Sequence, residues 1–163
     1  AGLQPARVAR LVLLSPAGGY GQAASELREA RRHDRLHNLE TLGPAGMADK
    51  RGAAMVSAQA AQAAAAGDAQ AAALVAYVKA TMAQVIPAGY TQATHLLSDA
   101  DLAGLLAAVA APVSVGSGSA DTITPPAGCE ALARGANAPY LSLGPVGHAC
   151  ALEGPDAVNA LLK

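Results

Sequence analysis

The stretch PVSVGSGSADTITPP, Pro112–Pro126, contains the residues that decide the fold. Its first residues are β-branched and small, which is typical of a short strand inside a packed sheet. The strand signal runs into a loop of Gly, Ser and Ala, and the loop leads to Asp121 and a Pro-Pro pair. The pattern therefore predicts a strand whose carboxyl end delivers an aspartate.

Strand and helix signals alternate after this stretch. A helix is predicted for AGCEALARGA (127–136), a second strand for APYLSLG (138–144), and a last helix for PDAVNALLK (155–163). The loop between the second strand and the last helix carries His148. Because strands that alternate with helices pair in parallel through helical crossovers, we expect an α/β fold with a parallel sheet.

Upstream, the chain begins with a short apolar run and continues with a long helical segment. The run Leu11–Leu14, ended by Ser15 and Pro16, suits a strand buried on both faces, although a buried helical turn has the same pattern. Helices divided at Gly43-Pro44 and at Pro87–Gly89 are predicted from Gln22 to residue 109, with Ser98 as an N-cap. The predicted organisation is a core strand and loop (1–21), a helical insertion (22–109) and a C-terminal core (110–163).

The alanine-rich centre of the insertion allows two interpretations. Its composition is typical of a low-complexity segment. Six larger apolar residues nevertheless recur at helical spacing and favour a packed helix with one apolar face. These residues are Leu74, Val75, Val78, Met82, Val85 and Ile86.

Composition and charge exclude several classes of function. The net charge of −1 indicates no surface for nucleic acid or for an anionic membrane. No apolar run has the length of a membrane span, and the first residues do not have the pattern of a signal peptide, so we expect a cytoplasmic protein. Cys129 and Cys150 form no metal or disulfide pattern, and we interpret both as reduced packing residues.

Asp121 and His148 are the candidate catalytic residues. Both follow predicted strands, and loops at the carboxyl ends of parallel strands meet at one crevice. An aspartate that accepts a hydrogen bond from one imidazole nitrogen leaves the other nitrogen free to take a proton from a hydroxyl. The alternative is structural, with Asp121 as a turn or capping residue and His148 as a loop histidine with a satisfied hydrogen bond.

This arrangement resembles the end of an α/β-hydrolase. PVSVGSGSADTITPP followed by GHACALEGPDAVNALL is similar to the strand that carries the catalytic acid and the later loop that carries the histidine. PARVARLVLLSPAGGYG looks like the strand after the nucleophile elbow, and the helices of 22–109 look like the family's cap. PAGYTQATHLLSDADL resembles the branch of enol-lactonases and small-ester hydrolases. The resemblance implies a partial α/β-hydrolase fold over essentially the whole chain.

The chain departs from that family at the nucleophile. The family places its serine in G-x-S-x-G, ahead of the acid and the histidine, and no serine of this sequence stands in that motif. The resemblance places the serine about ten residues before Ala1. We expect that a separate chain supplies the missing half, that the chain associates with itself, or that this sequence is part of a longer product.

Other residues are weaker candidates. Tyr20 and His95 are candidate substrate contacts, with ordinary packing or surface roles as alternatives. His33 and His37 stand four apart but lack the glutamate of a zincin helix, so a solvated face is favoured over a metal site. Asp99 and Asp101 are rival acids that we interpret as helix-start residues.

The resemblance implies a hydrolase that cleaves a small carboxylic ester or an enol-lactone through a Ser-His-Asp triad. Such a reaction needs no metal and no cofactor. One alternative is a non-catalytic or complementing half-subunit that is inactive alone. Another is a helical ligand-binding protein with an incidental sheet.

Overall fold

The computed structural model describes residues 1 and 3–163. In chain order its strands and α-helices are β1 (Leu11–Leu14), α1 (Ser25–Arg51), α2 (Ala58–Ala65), α3 (Ala69–Met82), α4 (Pro87–Asp99), α5 (Leu102–Ala107), β2 (Val113–Ser117), α6 (Pro126–Gly135), β3 (Tyr140–Ser142), α7 (Cys150–Glu153) and α8 (Pro155–Leu162). They form two compact units: an α/β unit of residues 1–18 and 102–163, and a helical unit of residues 19–101.

The α/β unit contains a three-stranded parallel sheet in the order β1-β2-β3. Leu13 lies beside Val115 in the β1–β2 pair, and Gly116 lies beside Leu141 in the β2–β3 pair. The predicted parallel α/β fold is therefore confirmed. The four residues of β1 are half-buried rather than fully buried, because this strand has one neighbour among the described residues.

Two apolar clusters hold helices against this sheet. Leu13 packs with the cluster that includes Cys129 and Ala133 of α6, whereas Leu14 packs with the cluster that includes Val158 of α8. Successive side chains of a strand point to opposite faces, so these two helices cover opposite faces of the sheet. Covered faces are typical of parallel sheets and explain the continuous apolar run of β1.

The helical unit is built from α1 to α4. Helix α1 is bent at Gly43, whose φ of +62° lies in the left-handed region that glycine adopts without steric cost. Pro87 occupies the first turn of α4, where its fixed φ suits a helix start. Both predicted divisions of the helical segment are thus confirmed. Two further breaks were not predicted: one between α1 and α2, which contains the 3₁₀ turn Gly52–Met55, and one between α2 and α3, where Asp68 caps α3.

Two local predictions in this unit are wrong. Ser98 is not an N-cap: it lies near the end of α4, and its buried hydroxyl donates to the Thr94 carbonyl at 3.0 Å. Ile86 does not belong to the apolar face, because it is 73% exposed just before Pro87. Val78 is buried on α3 as predicted, which favours the packed helix over the low-complexity interpretation.

No single helix among the described residues has the length and apolar character to cross a membrane. The pair α3 and α4 passes that test only when the two are taken together, and they are bent by 92° at their break.

Candidate active site

The candidate site lies within the α/β unit, where the loops after β2 and β3 are tied together. The Ser119 amide donates to the Gly144 carbonyl at 2.8 Å, and the Ala120 amide donates to the Val146 carbonyl at 3.1 Å. These bonds continue the parallel pairing of β2 and β3 beyond the strands. They bring the loop that ends in Asp121 alongside the loop that leads to His148.

A glycine permits this close approach. A Cβ atom at Gly118 would lie 1.9 Å from the carbonyl oxygen of Val146, far inside any normal contact distance. The two loops can therefore run side by side only if residue 118 has no side chain.

The Asp121 carboxylate is buried and accepts four hydrogen bonds. Its Oδ1 accepts from the amides of Ile123 and Thr124, each at 2.9 Å. Its Oδ2 accepts from the Thr124 hydroxyl at 2.8 Å and from Nδ1 of His148 at 3.0 Å. The side chain of Asp121 is fully buried, whereas that of His148 is 24% exposed. The structure thus brings the two predicted residues into direct contact.

These contacts control the ionisation of Asp121. Burial by itself raises the pKa of the carboxyl group, because it penalises the charged form. The hydrogen bonds from the Thr124 amide, the Thr124 hydroxyl and His148 favour the carboxylate and lower the pKa below the ordinary aspartate value. Asp121 is therefore a carboxylate at neutral pH.

The contact also sets the tautomer of His148. A carboxylate can only accept hydrogen bonds, so Nδ1 must carry the proton that points to Asp121. Nε2 of the neutral ring then has a free lone pair and can accept a proton. An aspartate and a histidine arranged in this way have the geometry that a nucleophilic triad requires of its orienting acid and its general base.

Thr124 is a third member of the site that the sequence analysis did not identify. Its hydroxyl lies 3.0 Å from His148 Nδ1 and 3.0 Å from the Ser15 carbonyl oxygen, in addition to its contact with Asp121. Ser15 directly follows β1, so Thr124 links the end of that strand to the acid and the histidine. The available signal was its position three residues after Asp121, where turn hydroxyls bond back to an aspartate.

The histidine loop is held from its other side by Glu153 in α7. Glu153 Oε2 accepts a hydrogen bond from the Gly147 amide at 2.8 Å. Because this amide immediately precedes His148, the contact fixes the backbone from which the imidazole projects.

Within the part of the α/β unit that the structure describes, no nucleophile lies at Nε2 of His148. Among the described residues, no side chain forms a hydrogen bond with Nε2 of His148. Cys129 and Cys150 are free and buried, as expected. Burial raises the pKa of the Cys129 thiol, and a buried thiol with a raised pKa is a poor nucleophile.

The remaining candidates lie in the helical unit. The Arg31 guanidinium lies 5.6 Å from the centre of the Tyr20 ring, and His95 is exposed on α4, so their substrate contacts stay predictions. The rings of His33 and His37 stack at 5.8 Å on α1, and no group of three potential metal ligands occurs among the described residues.

The interpretation of Asp99 as a helix-start residue is wrong. Asp99 ends α4 and lies 3.9 Å from Arg28. Asp101, just before α5, accepts a hydrogen bond from the Gln22 side chain. Among the candidate acids, the carboxylate bonded to His148 is that of Asp121.

Neither protein-family models nor curated proteins match the sequence, whereas solved structures do. An esterase from Thermogutta terrifontis is similar with a TM-score of 0.76 and 22% identity over 96% of this chain and 54% of the esterase. The enol-lactonase from Burkholderia xenovorans LB400 is similar with a TM-score of 0.76 and 21% identity, over 99% of this chain and 58% of the enzyme. MGS-M2, an alpha/beta hydrolase from a Medee basin deep-sea metagenome library, is similar with a TM-score of 0.73 and 18% identity, over 99% of this chain and 57% of MGS-M2.

The chain thus spans a little more than half the length of the proteins it matches. Identities of this size describe a shared fold, and one fold can carry many reactions. The parallel sheet, the helices on both of its faces and these similarities lead to one conclusion: the chain has a partial α/β-hydrolase fold.

Proposed function

We propose that this chain supplies Asp121 and His148 to the Ser-His-Asp triad of an α/β-hydrolase that cleaves a small carboxylic ester or an enol-lactone. The observation that carries the proposal is the 3.0 Å contact between the buried Asp121 carboxylate and Nδ1 of His148. Since no serine of the chain stands in G-x-S-x-G, the nucleophile comes from outside these 163 residues.

The reaction begins when Nε2 of His148 takes the proton of the serine hydroxyl. The serine oxygen attacks the substrate carbonyl, and the imidazolium that forms is stabilised by the Asp121 carboxylate. The tetrahedral intermediate collapses, and His148 gives the proton to the leaving oxygen. An ester releases its alcohol at this step, whereas an enol-lactone ring opens and its enol stays attached to the acyl group. Water activated by the same nitrogen then attacks the acyl-enzyme and releases the carboxylic acid.

The substrate class rests on the resemblance and on two structural neighbours. One of them is described as an esterase and another as an enol-lactonase. Esters and lactones share an activated carbonyl and a neutral leaving group after protonation, so one triad serves both. No metal or cofactor enters these steps. We further propose that the enzyme is cytoplasmic, where the buried thiols of Cys129 and Cys150 would stay reduced.

The proposal includes a protein partner or segment beside β1. This strand lies at one edge of the described sheet, and its four apolar residues are only half-buried. An open, apolar edge strand readily pairs with another strand. The first occupant we propose is the hydrolase segment that carries the serine, and the second is another copy of this chain.

The test measures hydrolysis of p-nitrophenyl butyrate and of dihydrocoumarin by a product in which this chain occurs with the G-x-S-x-G segment. His148→Ala and Asp121→Asn are each expected to lower kcat about 10⁴-fold, because both disable the general base. Arg134→Gln is the control, since this exposed side chain pairs with Glu130 on the surface of α6. A His148→Ala enzyme with near-normal kcat would contradict the proposal.

A non-catalytic half-subunit is the second candidate. It is favoured by the absence of a nucleophile bonded to Nε2 of His148 within the described residues. In both proposals the purified 163-residue chain shows no hydrolysis that depends on His148. One measurement separates the two proposals. If the chain is a non-catalytic half-subunit, the complex that it forms keeps its activity when Asp121 and His148 are replaced. Activity of a chain of the correct mass alone, abolished by His148→Ala, would show that one of its own serines is the nucleophile.

A further inference from the structure

The bend of helix α1 forms a polar cleft in the helical unit. The helix has one arm before Gly43 and a second arm after it, and a cleft of about 270 Å³ lies at the bend. All of its lining side chains are charged or carry an amide. They are Arg31, Asp34, Arg35 and Asn38 from the first arm, and Lys50 and Arg51 from the second.

Helix geometry and the bend bring these residues together. Positions 31, 34, 35 and 38 follow the three- and four-residue spacing that places side chains on one face of a helix. Gly43, at a φ of +62°, breaks the helix direction. The Lys50 ammonium then reaches across the bend and donates to Asn38 Oδ1 at 2.8 Å. The cleft is therefore a formed feature with a contact that joins its two arms.

The charges in the cleft are unmatched. Elsewhere in the helical unit, Arg28 lies 3.9 Å from Asp99, Lys79 lies 3.5 Å from Asp49, and Arg32 pairs with Glu29. The cations of the cleft form no ion pair with any carboxylate among the described residues. Four cations thus face one carboxylate, that of Asp34, whose Oδ1 already accepts a hydrogen bond from Asn38.

Such a cluster has an energetic cost when it is empty. Arg31 and Arg35 stand four apart on one helix face, where like charges repel. Lys50 and Arg51 add two more positive charges from the second arm. A bound multivalent anion would remove this repulsion and give every cation a partner.

We propose that this cleft binds a soluble small molecule through a phosphate or diphosphate group. Guanidinium groups present paired N–H donors that match the oxygens of a phosphate. A phosphate directs its oxygens in several directions and can contact both arms of α1 at once, whereas a carboxylate presents two coplanar oxygens. Tyr20, beneath the Arg31 guanidinium at 5.6 Å, holds that side chain at the cleft.

The test is calorimetric titration of the full 163-residue chain with inorganic pyrophosphate at low ionic strength. Saturable binding with one site is expected, and it weakens as NaCl screens the charges. Arg35→Gln and Arg51→Gln are each expected to weaken binding about ten- to hundredfold, because each removes charge-assisted hydrogen bonds. Arg7→Gln, which makes the same change of charge on an exposed residue of the α/β unit, is the matched control and should leave the affinity unchanged.

A further variant is expected to bind pyrophosphate more tightly, and a misfolded protein would not show such a gain of affinity. Asp34→Asn removes the one carboxylate of the cleft while keeping an oxygen for the Asn38 contact, so it should tighten pyrophosphate binding. Absence of saturable binding by the original chain, or equal losses in Arg35→Gln and Arg7→Gln, would overturn the proposal. Equal affinity for citrate would overturn the assignment to phosphate. Arg35-dependent binding to phosphatidic acid vesicles without binding of pyrophosphate would overturn the assignment to a soluble ligand.

Discussion

The loops around Asp121 and the cleft in the bend of α1 differ in how their charged side chains are partnered. Asp121 is fully buried, and each of its oxygens accepts two hydrogen bonds from the chain itself. Arg35 and Arg51 border an open cleft and form no ion pair among the described residues. The chain itself supplies the partners of the Asp121 carboxylate, whereas the cations of the cleft have no carboxylate partner among the described residues, and this difference is the basis of the proposed phosphate site. The α/β unit should therefore be sensitive to small changes that the helical unit tolerates.

The largest effect on stability is expected from Gly118→Ala. The new methyl group would lie 1.9 Å from the Val146 carbonyl oxygen, so the two site loops must separate and lose their shared hydrogen bonds. We expect a loss of about 3 kcal/mol or more in the free energy of unfolding, measured by urea denaturation.

Gly89→Ala in α4 is the matched control for that substitution. A Cβ atom at Gly89 meets nothing within 4 Å, and alanine is the better helix former. This variant should be more stable by about 0.5–1 kcal/mol. Equal losses at the two glycines would contradict the contrast between the units.

A smaller effect is expected from Thr124→Val. Valine keeps the shape of threonine but removes the hydroxyl that contacts Asp121, His148 and the Ser15 carbonyl. The loss of a hydrogen bond to a buried carboxylate should lower the free energy of unfolding by about 1–3 kcal/mol. Thr122→Val, at an exposed neighbouring position, should change it little, and a similar loss in both variants would argue against a specific role of the hydroxyl.

The smallest effect is a dependence of stability on acid. The pKa of Asp121 is lower in the folded chain than its ordinary value of about 3.9, so its carboxylate stabilises the fold fully above that pH. This contribution is lost as the pH falls through the folded-state pKa, because the unfolded state then binds the proton more readily. Urea midpoints measured from pH 5 to pH 2 should fall less steeply for Asp121→Asn. The exposed Asp156→Asn variant should retain the original slope.

Much of the α/β unit could be predicted from local patterns. Three local patterns each predict a single element: the apolar run Leu11–Leu14, the β-branched start of β2 and the helix signals after Pro126. Parallel pairing follows from their alternation, and it places Asp121 and His148 at the same edge of the sheet. The contact of these two residues could therefore be anticipated before any coordinates.

The wrong predictions concern residues at which two sequence signals, or a sequence signal and burial, favour different structures. Ser98 has the residue type of an N-cap, but α4 continues past it because its hydroxyl bonds back to Thr94 and its side chain is buried. Ile86 fits the helical spacing of α3, yet Pro87 starts a new helix beside it and turns the chain away. At Ser98 burial of the side chain overrides a local preference, whereas at Ile86 the local signal of Pro87 overrides the helical spacing.

The sequence by itself determined the alternation of strands and helices in the α/β unit and the residue types at the strand ends, because these depend on neighbours within one or two turns. Only the tertiary structure decided which groups surround them. Thr124 contacts the Ser15 carbonyl across 109 positions of the chain, and Gly118 lies against Val146 where the loops after β2 and β3 run side by side. The cleft of α1 likewise depends on a bend that aims Lys50 at Asn38. Such contacts depend on how separate elements pack, and the spacing of apolar residues within one helix or strand does not predict that packing.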